Sequence, residues 1–244
     1  NGEWKMSEEI KNKLEICNVE KKFKKNEVLK KLNCTLESGV YAILAPNGVG
    51  KTTLMRCIAD IYSYHGEIKF NGKNIKKQKV KIGYLPQQFG LFPELTVYQM
   101  MEYFCNLKKI SKKERKAAIE ICLKKVNLYD KKDEKNRKLS GGMIRRVGIA
   151  QAILGEPDII LFDEPTAALT PQEIEHLMEI MRQLTAEGKS IIVITHKLKE
   201  IKAVAKHCTI IRKGKGIGTV VVADTSEQEL ADLMVGRQVT FKLD

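Results

Sequence analysis

The stretch Ala45-Pro46-Asn47-Gly48-Val49-Gly50-Lys51-Thr52-Thr53 constrains this chain more than any other. Before it runs Val40-Tyr41-Ala42-Ile43-Leu44, short, apolar and partly β-branched, which predicts a buried strand. After it, Leu54-Met55-Arg56-Cys57-Ile58 continues as a helix. A strand, a small-residue loop and a helix form the context that a phosphate-binding loop needs. Glycine tolerates the dihedrals that turn the amides of Gly48, Val49 and Gly50 inward around a phosphate chain. The helix N-terminus adds a favourable dipole. Lys51 is placed to reach the terminal phosphates, and Thr52 to set a hydroxyl on Mg²⁺. The usual pattern opens with glycine where this chain has Ala45, which can still make the turn if its φ is negative.

Composition narrows the setting. The chain has 244 residues, 43% of them hydrophobic, enough for one globular domain with subdomains. No apolar run approaches the ~20 residues that cross a bilayer. The start of the sequence shows no apolar signal segment, so export is not expected. Asn1 to Lys5 precede Met6 and resemble residues left over from expression. Cys17, Cys34, Cys57, Cys105, Cys122 and Cys208 are scattered without a CxxC pair, which predicts reduced, mostly buried thiols rather than a zinc site or a disulfide framework. The formal charge of +13 suits a nucleotide, a nucleic acid or an anionic leaflet. Lysines such as Lys108-Lys109 and Lys112-Lys113 sit between apolar helix positions, as on a solvated face. No basic stripe is interleaved with aromatics, so no nucleic-acid partner is expected.

Along the chain, Leu14 to Val19 alternates as a strand, and Val28-Leu29 and Leu32 to Leu36 predict two more, with Glu37-Ser38-Gly39 as a turn. Phe23 lies in the first connection, where an aromatic could stack on adenine or simply pack. Gly66 to Phe70 with the Asn71-Gly72 turn predicts a hairpin, and Ile82 to Pro86 a strand ending at Gln87. A helical region follows. Thr96 caps Val97–Leu107, and Ser111 with Glu114 forms a capping box for 112–126. Lys131 to Arg137 is expected as a charged loop. Leu139-Ser140-Gly141-Gly142-Met143 opens a helix whose first amides are free for an anion.

Ile159-Ile160-Leu161-Phe162 is a buried strand ending in Asp163-Glu164, at the strand end where α/β sheets bind ligands. Asp163 can hold magnesium through water, and Glu164 can orient and deprotonate a water molecule. A helix from Gln172 to Ala186 stops at Gly188, and Ser190–Ile194 is a strand ending at Thr195-His196. His196, beside an acid pair, is a candidate contact for a γ-phosphate. The rest alternates helix (197–205), strand (208–212), turn and strand (217–222), and a helix to Val235 boxed by Ser226 and Glu229.

The order of phosphate loop, strand-end Gln87, LSGG, IILFDE and strand-end His196 resembles the ATP-binding-cassette ATPases over nearly the whole chain. The resemblance implies an α/β P-loop NTPase fold: a RecA-like sheet with helices on both faces, an antiparallel β subdomain and a helical subdomain. It implies an ATPase domain over 13–236, its helical subdomain at about 88–154, between tails at 1–12 and 237–244. By the same resemblance Phe23 stacks on adenine, and Lys51 with the loop amides binds the β- and γ-phosphates of ATP. Thr52 and Gln87 ligate Mg²⁺ with Asp163 behind, Glu164 is the general base and His196 senses the γ-phosphate. Ser140, Gly141 and Gly142 contact ATP held by a second such domain, homo- or heterodimeric. The implied role is that of an ATP-hydrolysing transporter subunit, cytoplasmic and peripheral to the membrane through separate permease subunits.

Three departures bear on turnover: Ala45, Met143 where the signature ends in Gln, and Thr170 where Asp is usual. Residues 84–156 are similar to exporter cassettes, whereas 170–235 are similar to the first cassette of sugar and nucleoside importers, as in a mosaic. The alternatives are a soluble, non-transport ATPase and a regulatory nucleotide-binding module with weak hydrolysis. The first is disfavoured because the stretch from Lys51 to Ser140 carries no coiled-coil heptads. The second is disfavoured because Glu164 and His196 are retained.

Overall fold

The computed structural model describes residues 12–37 and 39–236. The expected tails lie almost wholly outside these residues, and so does the central residue of the Glu37-Ser38-Gly39 turn. In chain order the elements are β1 (Lys13–Phe23), β2 (Asn26–Glu37), β3 (Val40–Leu44), α1 (Lys51–Ile58), β4 (His65–Phe70), β5 (Lys73–Asn74) and β6 (Ile82–Leu85). Then come α2 (Val97–Leu107), α3 (Lys112–Lys125), α4 (Gly141–Ile153), β7 (Ile159–Asp163), α5 (Pro171–Ala186), β8 (Ser190–Ile194), α6 (Leu198–Val204), β9 (His207–Arg212), β10 (Lys215–Val221) and α7 (Glu227–Val235).

Two sheets result. An antiparallel sheet runs β2-β1-β4-β5, and a second runs β10-β9-β3-β8-β7-β6. In the second, β9, β3, β8, β7 and β6 are mutually parallel, and only β10 is antiparallel. β3, β7 and β8 are buried along their whole length, as their unbroken apolar runs require of strands covered on both faces.

The period-2 geometry of a strand divides these runs between two cores. Val40, Ala42 and Leu44, with Ile160, Phe162, Ile191 and Val193, join a core built with helices α2 to α5. Tyr41, Ile43 and Ala45, with Ile159, Leu161, Ile192 and Ile194, join a core with α1 and the antiparallel sheet. The central sheet therefore has helices on both faces. Its parallel strands bring their carboxyl ends to one edge, and the segments after β3, β6, β7 and β8 all leave there.

Several local expectations change. β2 is one strand rather than two, because Lys31 takes φ 49° and the ladder with β1 shifts register instead of ending. Ser111 makes no cap to the backbone of α3: its hydroxyl bonds the Glu114 carboxylate at 2.5 Å. The 131–137 segment is no plain loop, since single 3₁₀ turns occupy Tyr129–Lys131 and Asn136–Lys138. Phe23 ends β1 rather than lying in a connection. The boxes at Thr96 and Ser226 form, with both reciprocal hydrogen bonds present.

Candidate functional site

The loop after β3 enters α1 through Gly50, at φ 107°. A Cβ there would lie 2.8 Å from Val28 Cγ1, so both the dihedral and the space demand glycine. Ala45 is buried and is not in the left-handed region, so alanine takes the place of the usual glycine without backbone strain. Its carbonyl accepts a hydrogen bond from Lys51 Nζ at 2.6 Å, and the Pro46 carbonyl accepts another at 3.2 Å. Burial pushes the Lys51 pKa down, while Glu164 and Asp163 oppose the shift. The ammonium thus rests on its own loop, within the field of the acid pair.

Asp163 closes β7 level with Ile194 of β8. It is 1% exposed, and its Oδ2 has no hydrogen-bond partner. Burial raises its pKa, and the neighbouring Thr52 hydroxyl pulls in the opposite direction. A buried carboxylate oxygen without a donor, beside a hydroxyl, has the chemistry of a hard-cation ligand set. The residues present therefore fit Mg²⁺. Gln87 leaves the same edge two residues past β6 and is exposed.

Glu164 follows at φ 52°, in the left-handed region that non-glycine residues seldom adopt. Its amide donates to the Ile194 carbonyl at 2.9 Å, and its carboxylate lies 3.1 Å from His196 Nδ1. Behind this pair is a buried cluster. The hydroxyls of Thr166 and Thr195 both donate to Glu200 Oε2, at 3.0 and 2.9 Å, and Lys197 pairs with Oε1 at 3.1 Å.

Ser140 caps α4, its Oγ accepting from the Met143 amide at 3.2 Å. Its turn meets the far side of the acid loop. A Cβ on Gly142 would lie 2.8 Å from Glu173 Oε2 and 3.2 Å from the Ala168 carbonyl. Ser140 and Gly141 are exposed, and the turn's neighbours are Ala168 and Glu173 rather than the Lys51 loop. Met143 packs partly buried on the helical core. Thr170 caps α5 with a reciprocal box to Glu173, so a threonine in place of the usual Asp supplies the helix start. Phe23 is 40% exposed, edge-on to Tyr62 at 5.3 Å, with Lys21 over its ring.

Two residues that sequence reasoning did not single out belong to this arrangement. Glu200 signals itself only as an acid four residues after His196. Arg145, 5% exposed, directs its guanidinium at the backbone of residues 86–87 and 163–165. Its only sequence signal is an arginine among the mostly apolar buried positions of α4.

Comparisons with known proteins bear on the fold and the family. The family model described as ABC transporter matches residues 29–167. The nucleoside import ATP-binding protein NupA of Lactococcus lactis subsp. cremoris (strain MG1363) is 40% identical over 240 residues, covering 93% of this chain and 47% of its own length. That match runs through both the exporter-like and the importer-like segments. The arginine transport ATP-binding protein ArtM of Bacillus subtilis (strain 168) is 34% identical, covering 88% of this chain and 92% of its own. Among solved structures, the dimeric structure of MJ0796, a bacterial ABC transporter cassette, superposes with a TM-score of 0.77 at 28% identity, covering 86% of this chain and 98% of that one. The chain spans about half the length of the nucleoside and ribose import relatives it matches. The fold is that of an α/β P-loop NTPase cassette, and the chain belongs to the ABC transporter family of ATP-binding proteins.

Proposed function

We propose that this chain binds ATP with Mg²⁺ around Lys51 and hydrolyses it as the motor subunit of a transporter whose membrane-spanning subunits are separate proteins. The observation that carries the reading is the 3.1 Å contact between Glu164 and His196, at the sheet edge from which the Lys51 loop also departs. An acid and a histidine touching beside a phosphate loop suit the hydrolysis of a phosphoric anhydride.

Phe23 offers its ring to the adenine. The amides of residues 47–50 and the Lys51 ammonium take the β- and γ-phosphates, with Ala45 and Pro46 leading the chain into the loop and Lys51 exchanging its loop carbonyls for phosphate oxygens. Thr53 extends the same helix start. Thr52, Gln87 and Asp163 hold the Mg²⁺, which supplies charge neutralisation on the phosphate oxygens. Glu164 accepts a proton from water as the water oxygen bonds to the γ-phosphorus. The bond to the β–γ bridging oxygen breaks, leaving ADP and phosphate. His196, oriented by Glu164, contacts the γ-phosphate.

The Ser140–Gly142 amides complete the site of a second cassette, so closure on ATP joins two such domains. The exposure of Ser140 and Gly141, and the turn's packing on Ala168 and Glu173 instead of the Lys51 loop, support that arrangement. Peripheral attachment to a permease is supported by an aromatic chain near Gln87. Phe92 and Tyr103 are 52% and 39% exposed and meet edge-on at 5.4 Å, and Phe104 continues the row to Phe89. No helix among the described residues is long and apolar enough to cross a membrane. The nucleoside-import relative supports import as the direction of transport.

The test is steady-state phosphate release by wild type and Glu164→Gln. The variant is expected to lose at least ~100-fold in turnover while retaining ATP binding. An unchanged rate removes Glu164 as the base.

A further inference from the structure

The geometry points to Arg145 as a positioning residue that couples the Ser140–Gly142 turn to the backbone of Glu164 and of the Gln87 segment. This rests on the hydrolytic reading above.

A guanidinium has five N–H donors, and here each has its own main-chain acceptor. Nε donates to the Pro165 carbonyl at 3.1 Å. Nη1 donates to the carbonyls of Pro86 at 2.7 Å and Gln87 at 3.2 Å. Nη2 donates to those of Asp163 and Glu164, both at 2.6 Å. All five acceptors are backbone groups, so the arginine fixes where two chain segments run rather than reading their side chains. The segments follow neighbouring parallel strands, β6 and β7, and the guanidinium itself projects from α4, whose first turn is Ser140–Gly142.

The position of the grip matters more than the number of bonds. Glu164 sits at φ 52°, a conformation that persists in a non-glycine residue only where its surroundings over-determine it. The Asp163 and Glu164 carbonyls belong to the two peptide planes flanking that residue. Holding both fixes φ and ψ, and with them the direction in which the carboxylate leaves the chain. The Ile194 carbonyl secures the first of these planes from its N–H side, accepting from the Glu164 amide. A shift of α4 must therefore move the peptide planes around the base and the segment carrying Gln87 together. Arg145 is 5% exposed and spends all five donors on main-chain carbonyls, so it is placed for its five-point geometry. Lysine cannot reproduce it, having three donors on one atom.

The experiment compares wild type, Arg145→Lys, Arg145→Gln and Glu164→Gln for melting temperature, affinity for a fluorescent ATP analogue, and kcat. For the Arg145 variants the account predicts affinity within about threefold of wild type and kcat at least about 30-fold lower, with lysine recovering part of the loss. A folded Arg145→Gln chain with wild-type kcat overturns the inference. So does a parallel fall of affinity, kcat and melting temperature, which marks a merely structural residue. Glu164→Gln separates the two claims. If it still turns over, the hydrolytic reading fails; if it is dead while the Arg145 variants run normally, only the coupling fails. Should both Arg145 variants misfold, hydrogen exchange on the unsubstituted chain decides. ATP is expected to slow the amides of 87–88, 140–146, 163–164 and 166 together, and independent responses of the three segments overturn the inference.

Discussion

Gly50 carries the phosphate loop into α1 with two requirements at once: φ of 107° and room for no side chain beyond hydrogen. Gly50→Ala is expected to cost about 1–3 kcal/mol and to weaken nucleotide binding, because the loop amides can no longer converge. Urea denaturation with an ATP titration checks both, and a wild-type result in each would show that the loop tolerates a Cβ. Cys208, fully buried on β9, gives a pH prediction of definite sign. Burial raises its thiol to about 12 against an ordinary value of 9.0. A raised thiol pKa contributes stability that is complete below 9 and is lost as pH climbs towards 12, since only the unfolded chain ionises in that window. At pH 10 the loss relative to pH 8 from this group is about 1.4 kcal/mol. Cys208→Ala lowers stability at every pH by opening a cavity, but it should remove this part of the slope between pH 8 and 10. Equal slopes for variant and wild type would contradict the assignment. At the same scale, the acids and the histidine were readable from the strand ends on which they stand. Arg145 and Glu200 were not, because their significance lies in what they reach across the fold: backbone carbonyls of two segments in one case, two threonine hydroxyls in the other.

At the scale of elements, the two helix starts at Thr170 and Ser111 show why local patterns only partly decide structure. Both carry an acid three residues on. Thr170 makes the reciprocal box with Glu173, whereas the Ser111 hydroxyl turns to the Glu114 carboxylate itself. The difference is tertiary. Glu173 also pairs with Arg146 at 3.2 Å, which holds its carboxylate over the start of α5, and Glu114 has an exposed setting. Thr170→Ala should therefore cost about 1 kcal/mol, while Thr170→Asp keeps the cap. Thermal or urea unfolding of the two variants measures the gap, and equal losses would mean that the cap is not the source. Buried strands were legible wherever an apolar run was unbroken, as in β3, β7 and β8. β2 was not legible as one strand because its Lys30-Lys31 pair looks like a break, whereas the ladder absorbs Lys31 in a left-handed residue.

At the scale of the whole molecule, the parallel strands set Lys51, Gln87, Asp163, Glu164 and His196 around one edge, while Ser140–Gly142 faces elsewhere. The chain order of these motifs was enough to resemble the family. Their division between the Lys51 edge and the Ser140–Gly142 turn was already implied by that resemblance, whereas the packing of α4 behind β6 and β7 that sets the turn against Ala168 and Glu173 could be read only from the folded chain. On the proposed reading, each cassette is half of two composite sites. Arg146→Ala, which unties α4 from α5, should weaken ATP-driven association more than ATP affinity; separate measurements of nucleotide binding and sedimentation would tell these apart. The most direct test is sedimentation velocity of the Glu164→Gln chain, with and without ATP and Mg²⁺. The account predicts a monomer without nucleotide, a dimer with ATP and Mg²⁺, and a return to monomer when Ser140→Arg or Lys51→Ala is added. A chain that binds ATP tightly yet sediments as a monomer at every concentration, or a dimer indifferent to Ser140→Arg, would contradict it.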